Sequence, residues 1–203
     1  YWHNGYKIHV HSNGDKGIQQ VLDFLTLDQK RNARDNHRFT LHHMGYYTDD
    51  MAQEIKDLGV EASVNPYYLW ALADKYSENG LGKERGENLV RINSLVKRDI
   101  PVSFHSDFSM APMEPLTLAW TAINRVTSEN NSLSQDQKIS VYDAMKAITI
   151  DAARTLNLEK QIGSIAAGKK ANLVILNENP FSIDPMEIKN IKVLATVFEG
   201  DFN

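Results

Sequence analysis

Four times in the first 126 residues, a short β-rich run is followed by a stretch with helical spacing, and this alternation limits the possible folds more than any other feature. Residues 7–11 form the first run, and after the turn Ser12-Asn13-Gly14-Asp15 the residues Ile18, Val21, Leu22 and Leu25 fall on one helical face. Residues 39–44 form the second. Thr48 can cap the helix that follows, its apolar positions are Met51, Ile55 and Leu58, and Gly59 ends it. Residues 60–64 form the third, stopped by Asn65-Pro66. The stretch 68–87, rich in Gly and charge, reads as a loop with a broken helix, and 88–98 reads as helical. Residues 101–104 form the fourth, followed by a loop around 109–115 and a helix over 116–126. Four consecutive units of this kind predict an α/β fold with a parallel sheet or barrel.

The pattern changes after a polar break at 128–137. Ser140 with Asp143 makes a capped helix start, and Thr149 caps a second helix carrying Ala152, Ala153 and Leu156, which Asn157 ends. Beyond it lie Gly163-Ser164-Ile165, a turn at Gly168, a strand over 171–176, a loop containing proline and a strand over 193–198. The expected organisation is a β/α unit over 1–160 and a small β element over 161–203 packed beside it.

Composition narrows the function classes. A net charge of −4 without blocks of like charge gives no footprint for nucleic acid or an anionic membrane. No apolar run approaches membrane-spanning length and no leader pattern is visible, so no membrane association is expected and a cytoplasmic location is the default. The chain opens on Tyr1 and runs almost at once into strand-like sequence, which reads as a piece of a longer protein. Cysteine is absent, which removes thiolate sites and leaves imidazole and carboxylate as the strong metal ligands.

All seven histidines lie within the first 105 residues, and His9, His11, His42, His43 and His105 sit at or near strand ends. In parallel β/α folds those ends open on one cleft, so ligands far apart in sequence converge there. His11, His43 and Asp107 would supply two imidazoles and a carboxylate, a set suited to zinc or a similar divalent ion. His9 shares a strand face with His11 by period two, so His9-Val10-His11 is an alternative two-histidine motif. His42 and His43 alternate in direction, so one of the pair is expected to enter the cleft, with the register open. Asp107 is a ligand or base, or the cap of the next segment. His105 would touch substrate or orient that carboxylate. Arg85, Tyr67 and Trp70 are candidate substrate contacts in the long loop; for Arg85 the alternative is a solvated charge, and the aromatic cluster Tyr67, Tyr68 and Trp70 reads equally as a pocket wall or a packed loop.

The order of motifs resembles one family. His11-Ser12-Asn13-Gly14-Asp15, then Arg38-Phe39-Thr40-Leu41-His42-His43, then His105-Ser106-Asp107, then Gly163-Ser164-Ile165 with Gly168-Lys169-Lys170-Ala171-Asn172-Leu173-Val174, is similar to the amidohydrolase 3 (YtcJ-like) branch of the amidohydrolase superfamily. The resemblance runs nearly end to end. It implies the C-terminal half of a TIM (β/α)8 barrel followed by part of the family's small β domain. His11 would be the metal ligand of the fifth barrel strand, His43 that of the sixth, and Asp107 the eighth-strand aspartate that binds metal and shuttles the proton. Two positions depart from the pattern: His42 stands where the family has Glu, and Asn172 where it commonly has Asp. The family's first-strand His-x-His pair and fourth-strand ligand have no counterpart in the chain. The implied activity is metal-dependent hydrolysis of a carbon–nitrogen bond in a small amide, formamide or cyclic ureide, with zinc as the expected ion.

Two other readings stay open at this stage. One is a deaminase-like or phosphotriesterase-like metal hydrolase on the same barrel; the other is a catalytically silent chain that assembles with itself. A half barrel whose inward side chains were Ile8, Val10, Leu41 or Val102 would leave an apolar face wet, so a homo-oligomer is expected.

Overall fold

A computed structural model describes residues 1–202. Its main sheet has four parallel strands in chain order, β1 (His9–Ser12), β2 (Thr40–His43), β3 (Glu61–Val64) and β4 (Val102–Phe104). Chain order equals sheet order because each helical connection returns the chain to the neighbouring edge. This is the arrangement of four β/α units of a TIM barrel.

Helix α1 (Asp15–Arg31) follows β1 and buries Ile18, Leu22 and Leu25 at the i, i+4, i+7 spacing read from the sequence. Helix α2 (Asp49–Asp57) follows β2. Thr48 caps it by accepting a hydrogen bond from the Met51 amide at 3.3 Å, and Gly59 leaves it at φ 67°. After β3 the structure departs from expectation. The stretch read as a broken loop begins with a regular helix, α3 (Tyr67–Asn79), interrupted at Gly80–Gly82 and resumed as α4 (Lys83–Glu87). Burial of Tyr68, Leu69 and Ala73 supplies the apolar contact that outweighs the polar composition. The helix expected over 88–98 shrinks to α5 (Ile92–Val96).

Helix α6 (Pro115–Asn124) follows β4 and is the most deeply buried, with seven of its ten residues inside. Two short helices come next, α7 (Val141–Ala147) and α8 (Ile150–Thr155). Ser140 caps α7 as expected, accepting from the Asp143 amide at 3.0 Å. Thr149 holds the N-cap position of α8, but its hydroxyl donates back to the Met145 carbonyl at 2.7 Å and caps nothing.

The register decides what each sheet face carries. Val10, Leu41, Ala62 and Val102 are lateral neighbours and share one face, as do His11, His42, Ser63 and Ser103 on the other. Leu41, Ala62 and Val102 are fully or nearly buried in one apolar core with Ile18, Leu22, Ala52 and Ile55 of the helices. The opposite face is polar: His9, His11, Thr40, His42, Glu61, Ser63 and Ser103. The expectation of an apolar inward face is therefore corrected, because Val10, Leu41 and Val102 belong to the helix side. The argument for self-association from that face falls away. Part of the polar face is covered by α8, where Arg154 Nε donates to Glu61 Oε1 at 2.9 Å and Thr155 Oγ1 donates to Ser103 Oγ at 2.8 Å.

A second, antiparallel sheet contains β5 (Leu173–Leu176), β6 (Val193–Phe198) and β7 (Asp201–Phe202). The loop between β5 and β6 docks on α6 through a 3-10 turn at Pro185–Asn190, where Ile188 is fully buried. Trp120 Nε1 donates to the Met186 carbonyl at 2.8 Å and Asn124 Nδ2 to the Pro185 carbonyl at 2.9 Å. No helix among the described residues is long and apolar enough to cross a membrane.

Candidate metal centre

The C-terminal parts of β1 and β2 and the residue after β4 bring His11, His42, His43 and His105 together, and His9, at the start of β1, extends them to an arc of five imidazoles. The His11 and His43 rings lie 4.3 Å apart, His43 and His105 4.8 Å, His42 and His105 5.5 Å, and His9 and His42 5.0 Å, all centroid to centroid. Strict alternation would have sent His42 and His43 to opposite sides, with one ring in the cleft. The structure corrects this, because both rings reach His105. His43 has φ 72° and Met44 φ 52°, so the chain leaves the pleat at the last residue of β2 and the His43 ring turns over the strand ends. Asp107 has φ 56°, a similar departure two residues after His105.

His43 Nδ1 stands 3.9 Å from Asp107 Oδ2 and 3.1 Å from the Tyr68 hydroxyl. Tyr68 comes from the first turn of α3 and is buried, so the hydrogen bond fixes the orientation of the His43 ring. Burial pushes the Tyr68 hydroxyl pKa up, with the Asp107 charge adding to it. In the sequence it was one of three clustered aromatics that read as a pocket wall or a packed loop, and its hydrogen bond with His43 was not foreseen. Tyr67 and Trp70 pack against each other with tilted rings 4.9 Å apart, and Tyr68 is the aromatic that meets the imidazoles.

Burial is the first cause of neutrality in this arc. It holds His42 and His105 down to about 4, with neighbouring imidazoles adding to the effect and Asp107 opposing it at His105. His43 is lowered as well, by burial and then by His11, against the pull of Asp107. Neutral rings keep a lone pair for a ligand. His105 Nε2 is buried without a hydrogen-bond partner.

Arg85 lies on the far side of Tyr68. Its guanidinium pairs with Asp15 at 2.5 Å and stacks over the Tyr46 ring at 4.2 Å, which commits its charge to the start of α1. With Asn13, Gly45 and Tyr68 it lines a cavity of about 230 Å³ next to the centre.

His43 thus meets His11 on one side and Asp107 on the other. No group of three or more His, Asp or Glu side chains among the described residues is placed so that it could hold a metal ion as it stands. The 3.9 Å gap between His43 and Asp107 is too long for a hydrogen bond. The nitrogen that faces Asp107 is Nδ1, which Tyr68 already holds, so an ion would take His43 through Nε2. The donor types, two imidazoles and a carboxylate, suit a divalent ion, and the side chains would have to close around it, the 45% exposed Asp107 among them.

The family model for the amidohydrolase family matches residues 2–202. The chain belongs to the amidohydrolase family. It is 27% identical over 201 residues to the N-substituted formamide deformylase of Arthrobacter pascens, a match covering 97% of this chain and 36% of that protein. It is 26% identical over 199 residues to the putative amidohydrolase YtcJ of Bacillus subtilis (strain 168), covering 97% and 37%. Among solved structures, an uncharacterized metal-dependent hydrolase from Pyrococcus horikoshii superposes with a TM-score of 0.74 at 25% identity, covering 89% of this chain and 36% of that one. The chain spans about a third of the length of the curated relatives it matches.

Proposed function

We propose that this amidohydrolase chain carries part of a hydrolytic centre acting on carbon–nitrogen bonds of small amide-like substrates, N-substituted formamides among them. The convergence of His11, His43 and Asp107 is the observation that carries the reading, and the family membership and metal-dependent relatives support it. The three residues would hold a divalent ion, and two imidazoles with one carboxylate favour zinc. When bound, the ion supplies Lewis acidity, lowering the pKa of a water and polarising a carbonyl.

Asp107 accepts the proton of the attacking water and delivers it to the leaving nitrogen, which an exposed carboxylate on a turned strand end can reach on either side. Tyr68 keeps the His43 ring from swinging when substrate arrives. His105 fills the floor between them and excludes water beneath the reacting carbonyl. Tyr67, Trp70 and Arg85 are proposed to wall the substrate pocket, with Arg85 acting through Asp15 and Tyr46.

The three side chains are not pre-arranged around an ion, so the chain by itself is expected to bind zinc modestly and to turn over slowly. The test is zinc titration of the chain by calorimetry together with a formamide hydrolysis assay. Asp107→Asn and His11→Asn should each weaken zinc binding at least about tenfold, as loss of even an outer-shell partner does. Zinc affinity unchanged in both variants would overturn the reading.

A further inference from the structure

A second pair of nitrogens lies on the polar face at the far end of the same arc of imidazoles and is not among the ligands His11, His43 and Asp107. His9 Nδ1 lies 2.8 Å from His42 Nε2. His9 is exposed at the sheet edge, while the His11 ring leans the other way, against His43. Thr40 separates His9 from Glu61 in one row across the sheet. Glu61 is 3% exposed, and its Oε2 has no hydrogen bond, only the Lys7 ammonium at 3.6 Å. This polar face therefore carries two imidazoles in contact and, further along the row of His9, a carboxylate already engaged by Arg154 and Lys7.

We propose that His9 and His42 hold a second divalent transition-metal ion, separate from the one at His11, His43 and Asp107. Two imidazole nitrogens bound side by side to one ion at about 2.0–2.1 Å lie roughly 2.9–3.4 Å apart. At the observed 2.8 Å the two nitrogens are in hydrogen-bond contact, so an ion would displace the shared proton and both rings would turn until their lone pairs meet at one point. Without an ion, one ring must donate an N–H to the other, a single hydrogen bond at a solvent-facing position and worth little. With an ion, both lone pairs are used, and the exposure of His9 leaves room for water at the remaining positions. An imidazole pair with water follows the Irving–Williams order, so Cu²⁺ is bound most tightly and Ni²⁺ and Zn²⁺ less so. The absence of cysteine leaves no thiolate to compete. The site does not depend on the hydrolase reading.

Cu²⁺ titration of the tag-free chain in a His3→Asn background, which removes the chelate that a free amino terminus makes with a histidine in third position, followed by calorimetry and electron paramagnetic resonance, decides the matter. The variants are His9→Asn, His42→Gln, His11→Asn and Asp107→Asn, each checked by circular dichroism. His9→Asn carries the most weight, since an exposed side chain with one hydrogen bond can be replaced without unfolding the chain. The expected result is loss of one equivalent of Cu²⁺, or a Kd raised at least about tenfold, together with loss of the two-imidazole nitrogen splitting, in His9→Asn and His42→Gln. His11→Asn and Asp107→Asn should keep that equivalent and that splitting. If the hydrolytic centre binds no ion, the His3→Asn chain takes one equivalent, still lost with His9, and only the hydrolase reading fails. Stoichiometry, affinity and splitting unchanged in folded His9→Asn, or lost only with His11 or Asp107, would overturn the second site.

Discussion

His42 and His105 are bases placed where their protonated forms are costly, since burial and the other rings of the arc hold both near pKa 4 against an ordinary 6.5. The unfolded chain then binds protons below about pH 6.5 that the folded chain refuses until about pH 4. Stability contributed by these rings is full above pH 6.5, falls between 6.5 and 4, and is level below that. Both rings keep some contact with solvent, so the combined loss is expected to be about 1–3 kcal/mol. Urea unfolding of the metal-free chain at several pH values measures it, and His42→Gln should flatten part of the slope. A free energy independent of pH across that window would refute the assignment. Glu159, held down to about 2 by its hydrogen bond from Arg38, loses its contribution only below its ordinary value of 4.5, mostly under the histidine window. His11, His43 and Asp107 could be picked out in the sequence because each follows a β-rich run. Tyr68 could not, because its use depends on which side of α3 faces the strand ends.

Among the elements, the turns after β1 and β2 are built against each other. The Gly45 amide donates to Asn13 Oδ1 and the Tyr46 amide to the Asn13 carbonyl, both at 3.1 Å. A Cβ on Gly45 would overlap the Asn13 side chain. These turns carry His11 and His43 on their near ends, so Gly45→Ala should cost about 1–3 kcal/mol, as overpacking does, and should also weaken zinc binding. Thermal melts and calorimetry on the variant check both effects, and a variant matching wild type in each would show that the close approach carries no strain. The β-rich runs and the first two helices were legible because their periodicity is local. Helix α3 was not, because its charged and glycine-flanked sequence is helical only by virtue of the core that receives Tyr68, Leu69 and Ala73.

Across the molecule, α8 closes the polar face by contacts between residues far apart in the chain. Glu61, nearly buried, meets Arg154 at 2.9 Å and Lys7 at 3.6 Å, and Lys7 Nζ also donates to the Thr155 carbonyl at 2.7 Å. Removing the carboxylate strands two cations, so Glu61→Ala is expected to destabilise the chain by about 3–5 kcal/mol, the usual cost of breaking a buried pair. Arg154→Ala should cost less, because Lys7 still answers Glu61. Urea denaturation of the two variants decides the order, and equal or reversed losses would contradict it. The sequence by itself determined the succession of β/α units, the ligand types and their family, since these follow from local period, capping residues and motif order. Only the tertiary structure decided that the face opposite the helices is polar, that both His42 and His43 reach His105, and that His9 meets His42. The physical reason is register: strand side chains alternate with period two, a slip of one residue exchanges the faces, and the pairing that prevents the slip is made by residues about thirty positions apart.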